Sequence, residues 1–150
     1  MTIDKFNEII DFAVSREKEA VEFYSDLQQK AKFSAQKMLL KEFENMEKGH
    51  IIILENIRKK GIVNFHPKEV KDLKISDYLV EMEPTPDMNY QDILVIAMKK
   101  EEAARDLYSN MAAEFSGSDL ENLFERLASE EAQHKLHFEK LYDEEILKDN

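Results

Sequence analysis

The sequence predicts an all-α protein, folded as an antiparallel four-helix bundle with a long crossover between the second and third helices. Apolar residues recur at helical spacing along four long segments, and the 150-residue chain contains only three glycines and three prolines. Two of the three predicted connections are short and one is long, as in bundles of this type. With 43% apolar residues, the chain suits a single domain, residues 1–150, with a sizeable core.

The first two helices are expected to form a hairpin. Apolar residues with a 3.6-residue period predict the first helix over about residues 3–31. A second pattern begins at Ser34, which we expect to be the N-cap, and stops at Gly61. The second helix is therefore predicted over 34–60, antiparallel to the first because the connection is short.

The segment 61–87 is the predicted crossover. It contains all three prolines and has one short helical candidate, at about residues 76–82. Its length is sufficient to cross a bundle from end to end. His66, next to Pro67, is interpreted as a linker residue.

Helical periodicity resumes in the second half of the chain. It predicts a third helix over 89–115, which stops at Gly117, and a fourth over 119–147. Ser118 and Glu121 have the spacing of a capping box, which predicts the start of the fourth helix.

Charge and composition exclude several classes of function. The formal net charge is -11, and no stripe of basic residues exists, which argues against nucleic acid or an anionic membrane as a partner. The absence of cysteine excludes disulfides, thiolate catalysis and cysteine-held metal sites. No targeting segment or apolar run of membrane-spanning length is found, so we expect a soluble, cytoplasmic protein.

The two halves of the chain repeat each other with a shift of 84 residues. The repeated residues of the first and third helices are Ala13, Glu17, Ala20, Tyr24 and Ser25, which coincide with Ala97, Glu101, Ala104, Tyr108 and Ser109. The repeated residues of the second and fourth helices are Glu47 and His50, which coincide with Glu131 and His134. The halves therefore look like duplicated hairpins, each with one Glu on its first helix and a Glu-x-x-His on its second.

These six glutamates and histidines are predicted to face the core at one level of the bundle. Glu17 lies within an apolar stripe, and Glu17 and Glu47 are each about 15 residues, roughly 22 Å, from the turn between their helices. Burying four carboxylates without compensation would cost several kcal/mol each. Two divalent ions would neutralise them, and one Glu from each of two helices plus Glu-x-x-His from the other two is a di-iron ligand set.

Chance does not account well for this pattern. The chain has 21 glutamates in 150 residues, so any histidine has roughly a one-in-seven chance of a glutamate three positions before it. Two such pairs, each 30 residues after a glutamate with Ala at +3 and Tyr at +7, indicate a metal site.

Other residues near the predicted site keep two interpretations. Tyr24 and Tyr108 are either core aromatics or hydrogen-bond donors to ligand carboxylates. Gly49 is either tolerated or allows close approach of another backbone or an oxidant. Glu102 and Glu130 are expected to be solvated, although a register error would exchange them for their neighbours. His137, three residues after a predicted ligand, is expected to lie outside the primary site.

The paired Glu-x-x-Ala-x-x-x-Tyr and Glu-x-x-His motifs resemble those of the rubrerythrin family within the ferritin-like superfamily, across all four helices. The resemblance implies a centre of two iron ions, or of manganese or another divalent metal. It implies that Glu47 and Glu131 bridge the ions, that Glu17 and His50 bind one, and that Glu101 and His134 bind the other. Unlike rubrerythrins, the chain has no cysteine for a rubredoxin-like domain, and Ala104 stands where they typically carry a further Glu. Lys48 replaces the haem-binding Met of bacterioferritins.

Three functions remain open from the sequence. The first is a non-haem di-iron protein that reduces hydrogen peroxide or dioxygen with electrons from a separate redox protein, and that forms a homodimer. The second is ferritin-like iron binding, as a ferroxidase or a storage protein, which would require a closed multi-subunit cage. The third is a helical interaction module without metal.

Overall fold

The computed structural model describes residues 2–31, 33–61, 75–80, 84–85 and 88–149. Its elements are the α-helices α1 (Ile3–Lys30), α2 (Ser34–Lys60), α3 (Tyr90–Glu114) and α4 (Asp119–Asp149), and a short 3-10 turn (Ile75–Tyr78). No β-strand occurs within these ranges, which confirms the predicted all-α class. The four predicted helices match the observed bounds to within two residues at each end.

The chain divides into two compact units, residues 1–73 and residues 74–150. The first unit contains α1 and α2 and is called the first hairpin. The second contains the 3-10 turn, α3 and α4 and is called the second hairpin. Each hairpin carries one copy of the repeated motif.

The helices of the first hairpin run antiparallel. Near the turn, the rings of Tyr24 and Phe43 meet edge to face with centroids 6.0 Å apart. Far from the turn, Arg58 Nε donates to Asp11 Oδ1 at 2.9 Å. Low residue numbers on α1 thus meet high numbers on α2, as an antiparallel pair requires. Apolar side chains of both helices are buried, among them Phe6, Ile9, Ile10, Leu27, Leu40 and Leu54.

The ends of the first two helices agree only partly with the sequence analysis. Thr2 caps α1, because its hydroxyl oxygen accepts from the backbone N–H of Lys5. Gly61 ends α2 with φ at 69°, a left-handed conformation that favours glycine. The prediction of Ser34 as N-cap was wrong. Phe33 has the extended backbone of the cap and Ser34 is already helical, so no side chain caps α2.

The second hairpin is also antiparallel. The rings of Tyr108 and Phe124 stack with centroids 6.4 Å apart, close to the connection between α3 and α4. Farther along, Lys135 Nζ lies 3.9 Å from Glu102 Oε1. Buried apolar residues of α3 and α4 include Ile93, Leu94, Leu107, Met111, Leu127 and Phe138.

The start of α4 uses different hydrogen bonds from the predicted capping box. The Ser118 hydroxyl donates to the carbonyl of Phe115 at 2.6 Å, and the Ser118 N–H bonds to the same carbonyl. The Glu121 carboxylate therefore accepts from the N–H of Gly117, at 2.8 Å. The prediction was wrong by one residue because Gly117, with φ at 84°, turns its own N–H toward α4.

The crossover is described only in part. Its short helical candidate corresponds to the 3-10 turn, where the buried Tyr78 accepts a hydrogen bond from Asn110 of α3 at 2.8 Å. The end of that candidate, residues 81–82, and the predicted linker residue His66 lie outside the described residues. In the part of the chain that the structure describes, no helix has an apolar stretch long enough to cross a membrane.

Candidate metal centre

The first hairpin gathers three of the predicted ligands. Glu17 extends from α1, and Glu47 and His50 extend from the same side of α2 because they are three residues apart. His50 Nδ1 lies 3.4 Å from Glu17 Oε1 and 3.7 Å from Glu47 Oε1. Each residue offers one ligand atom within 4.8 Å of the others, and each side chain is at most 2% exposed. We call this group the first half-site.

The second hairpin gathers the equivalent residues. Glu101 extends from α3, and Glu131 and His134 extend from α4. His134 Nδ1 lies 3.8 Å from Glu101 Oε2, and all three residues offer ligand atoms within 4.8 Å of one another. All three are buried. This group is the second half-site.

Each half-site has the chemistry of a divalent metal site. Two buried carboxylates carry a formal charge of about -2, which is unfavourable away from water unless a cation compensates it. Two carboxylates and a neutral imidazole offer oxygen and nitrogen donors and no sulfur, a set that suits iron and manganese. The residues present therefore fit the predicted metal, although metal binding by the six ligands stays a prediction.

The structure also supports the register of the predicted ligands. Glu102, next to Glu101 in sequence, is 47% exposed and lies 3.7 Å from Arg105. Glu130, next to Glu131, pairs with Arg126 at 3.1 Å. Both neighbours thus take part in surface ion pairs, and the buried positions belong to the residues that the repeat selects.

Tyr24 and Tyr108 are both buried, at 2% exposure. Their rings pack on phenylalanines of the adjacent helix in the same hairpin, edge to face for Tyr24 and stacked for Tyr108. They are therefore core aromatics at least. Hydrogen bonding from their hydroxyl groups to the ligand carboxylates stays a prediction.

His137 belongs to neither group of ligand atoms among the described residues, in agreement with the sequence analysis. It is half-buried. Burial, and then the charges of Lys140 and His134, lower the pKa of its imidazole below the usual 6.5.

Sequence reasoning missed a second buried carboxylate on α2, at Glu44, which is only 6% exposed. Lys48 Nζ lies 2.8 Å from Glu44 Oε2, Gln28 Nε2 donates to Oε1 at 2.8 Å, and Lys41 Nζ donates to Oε2 at 3.0 Å. These hydrogen bonds, from Lys48 first and then Gln28 and Lys41, lower the pKa of Glu44 from 4.5 to about 2. We call these four residues the Glu44 cluster. Lysines at i-3 and i+4 were its sequence signal.

The second hairpin has a cavity at the position equivalent to the Glu44 cluster. With the shift of 84 residues, Gln28, Lys41, Glu44 and Lys48 correspond to Ala112, Glu125, Ala128 and Ala132. All four of these residues line an open cavity of about 460 Å³ between α3 and α4. The hairpins thus share their ligands but differ beside them: the first is filled by an ion-paired carboxylate, and the second is left open.

Four helices and two buried clusters of glutamate and histidine define the class of protein. The predicted fold class, an all-α four-helix bundle of ferritin-like type, is confirmed at this level. Residues 92–150, which contain all three ligands of the second half-site, match the family model of rubrerythrin. The resemblance inferred from the motifs is therefore confirmed over this part of the chain.

One solved structure shares the fold. It is a hypothetical protein from Pyrococcus furiosus that is 24% identical to this chain, covers 95% of this chain and 89% of its own, and superposes with a TM-score of 0.68. A comparison with curated proteins gives no match.

Proposed function

We propose that the protein binds two iron ions in one dinuclear centre formed by both half-sites, and that it reduces hydrogen peroxide or dioxygen there. The observation that carries this proposal is the duplication of a buried Glu, Glu and His set, once in each hairpin. The match of residues 92–150 to the rubrerythrin family model supports it.

Charge balance requires two ions rather than one. Four glutamates bring a formal charge of about -4, and two divalent cations bring +4, while both histidines can bind as neutral imidazoles. A single ion would leave about two buried negative charges uncompensated, at several kcal/mol each.

The six residues would share the work of binding. Glu47 and Glu131 are the proposed bridging ligands, since each stands three residues before a ligand histidine on its helix. Glu17 and His50 complete one ion's ligand set. Glu101 and His134 complete the other.

A bound ferrous pair would supply the two electrons that, with two protons, convert one hydrogen peroxide to two water molecules. The chain's own residues hold the site away from water, because all six ligands and both flanking tyrosines are buried. Tyr24 and Tyr108 are the proposed hydrogen-bond donors that orient the carboxylates. The electrons that restore the ferrous state come from a separate redox protein, because the chain has no cysteine to hold an iron–sulfur or rubredoxin-type group.

Anaerobic reconstitution with ferrous iron tests the proposal. We expect two ions per chain, and faster oxidation by hydrogen peroxide than by air when each oxidant is mixed separately with the reduced protein. The His50→Ala and His134→Ala variants remove one neutral ligand each, and they should retain part of the metal while slowing this oxidation. One ion per chain, unaffected by Glu47→Ala or Glu131→Ala, would contradict the dinuclear centre.

A second candidate function treats ferrous iron as the substrate, oxidised for storage. Ala104, where rubrerythrins typically carry a further glutamate, favours this alternative because it leaves a symmetric ligand set. A diferrous protein that ignores peroxide, reacts quickly with dioxygen and accumulates many ferric ions in a large assembly would establish it.

A further inference from the structure

The outer face of α2 contains little charge, although 35% of the chain's residues are charged. Six uncharged residues follow one another along this face at helical spacing, namely Met38, Asn45, Gly49, Ile52, Ile53 and Asn56. Met38 is 67% exposed and Ile52 is 61% exposed, and both asparagines are exposed. We call this surface the Gly49 face. Two of the six most exposed large apolar residues of the described chain lie on it.

Gly49 is at the centre of this face, where the chain itself does not require a glycine. Its backbone is helical, without a positive φ, and a Cβ atom added to it would meet no atom within 4 Å. A glycine inside a helix costs about 1 kcal/mol relative to alanine. A missing side chain does, however, allow the backbone of another helix to approach closely.

We propose that the Gly49 face binds the same face of a second copy of the chain, with the two α2 helices antiparallel and crossing at Gly49. A two-fold axis through this residue makes the contact self-complementary. It sets the exposed Ile52 of one copy against Met46 of the other. With a net charge of -11 per chain, a face poor in charge is where two copies can meet with least repulsion.

The charges at the two ends of the face determine the orientation. Glu42 is seven residues before Gly49, and Lys60 is eleven residues after it. In an antiparallel pair, Glu42 of one copy lies about 6 Å along the axis from Lys60 of the other, within reach of a lysine side chain. In a parallel pair, Glu42 would oppose Glu42. Opposite charges therefore favour the antiparallel arrangement.

The proposal does not depend on the metal, but it has a consequence for the candidate centre. Gly49 stands between Glu47 and His50 in sequence, so the helix of the second copy would pack behind the turn of α2 that carries two proposed ligands. Association would thereby hold this turn in place.

Cysteine cross-linking tests the contact directly, because the natural chain contains no cysteine. In the Gly49→Cys variant the two introduced thiols lie next to the two-fold axis, within the range of a disulfide. In the matched Asn56→Cys variant they are about 21 Å apart along the helices. We expect mild oxidation to convert most of the first variant to a covalent dimer and to leave the second monomeric in denaturing gels. Equal cross-linking of both variants, or none of either, would overturn the proposal.

Sedimentation equilibrium of the metal-free and the metal-loaded full chain supplies the independent measurement. Ile52→Glu should weaken dimerisation by more than about tenfold, and Leu136→Glu, at an exposed leucine of α4, should leave it unchanged. Glu42→Lys and Lys60→Glu should each weaken association, and the double variant should recover it. Circular dichroism verifies that each variant is folded. A monomeric wild-type chain, or a dimer indifferent to Ile52→Glu, contradicts the assignment whatever the metal content proves to be.

Discussion

Two buried glutamates on the same helix, three residues apart, are expected to respond in opposite ways to the same substitution. Glu44 is surrounded by Lys41, Lys48 and Gln28, whereas Glu47 shares the first half-site with another carboxylate, Glu17. Changing either residue to glutamine keeps its shape and removes its charge. The pair therefore separates a carboxylate that stabilises the fold from one that serves a ligand.

For Glu44→Gln we expect a loss of stability. A pKa lowered from 4.5 to about 2 corresponds to roughly 3 kcal/mol. Because the two lysines are 54% and 51% exposed, solvent screens the interaction, and we expect about 1 to 2 kcal/mol. That amounts to a fall in Tm of about 2 to 8 °C.

The pH dependence of this loss follows from its sign. The folded-state pKa of Glu44 is depressed, so the stabilisation is fully present above pH 4.5 and disappears as pH falls toward 2. The difference in Tm between wild type and Glu44→Gln should therefore be constant between pH 6 and 8 and should shrink at about pH 3.

For Glu47→Gln in the metal-free protein we expect the opposite sign, a gain of about 1 to 3 kcal/mol, because one of two clustered carboxylates is removed. The stabilisation that ferrous or manganous ion confers on the wild type should largely disappear. Thermal unfolding followed by circular dichroism at pH 7, with and without metal, measures both effects. Equal destabilisation of the metal-free protein by both substitutions, with metal stabilisation retained in Glu47→Gln, would refute the reasoning.

Three further predictions test the second hairpin. Glu131→Gln should reduce bound metal from two ions per chain to one or fewer, by elemental analysis, and should stabilise the metal-free protein as Glu47→Gln does. Phe124→Ala removes a fully buried ring that packs on two aromatic neighbours and should cost about 3 to 5 kcal/mol in urea unfolding. Gly117→Ala should cost about 1 to 2 kcal/mol in the same assay, since φ is 84° there, and loss of less than a few tenths would contradict the strain assigned to it.

The sequence predicted the helices well because their evidence is spread over many residues. Each helix has seven or more turns, so an apolar period identifies it even where single positions deviate. The ligands could be identified for a similar reason, since the 84-residue repeat selected Glu131 over Glu130 and Glu101 over Glu102 without reference to the structure.

The details that sequence analysis missed depend on single backbone angles or on contacts between helices. At the start of α2, the residue in the extended conformation is Phe33 rather than Ser34, which composition does not reveal. At the start of α4, the left-handed turn at Gly117 moved the carboxylate contact by one residue. Lysines flanking Glu44 look like an ordinary solvated face until Gln28 of α1 covers it.

The contrast between the Glu44 cluster and the alanine-lined cavity has a consequence for how a duplicated protein diverges. After duplication, the two copies of a ligand set are under the same constraint, but the residues beside them are not. Here one copy has a local salt-bridge network one helical turn before its Glu47, and the other has open space at the same place, before Glu131. Two ions held by identical ligands would then differ in their surroundings, so their spectroscopic signals and their rates of exchange with solution should be distinguishable within a single chain.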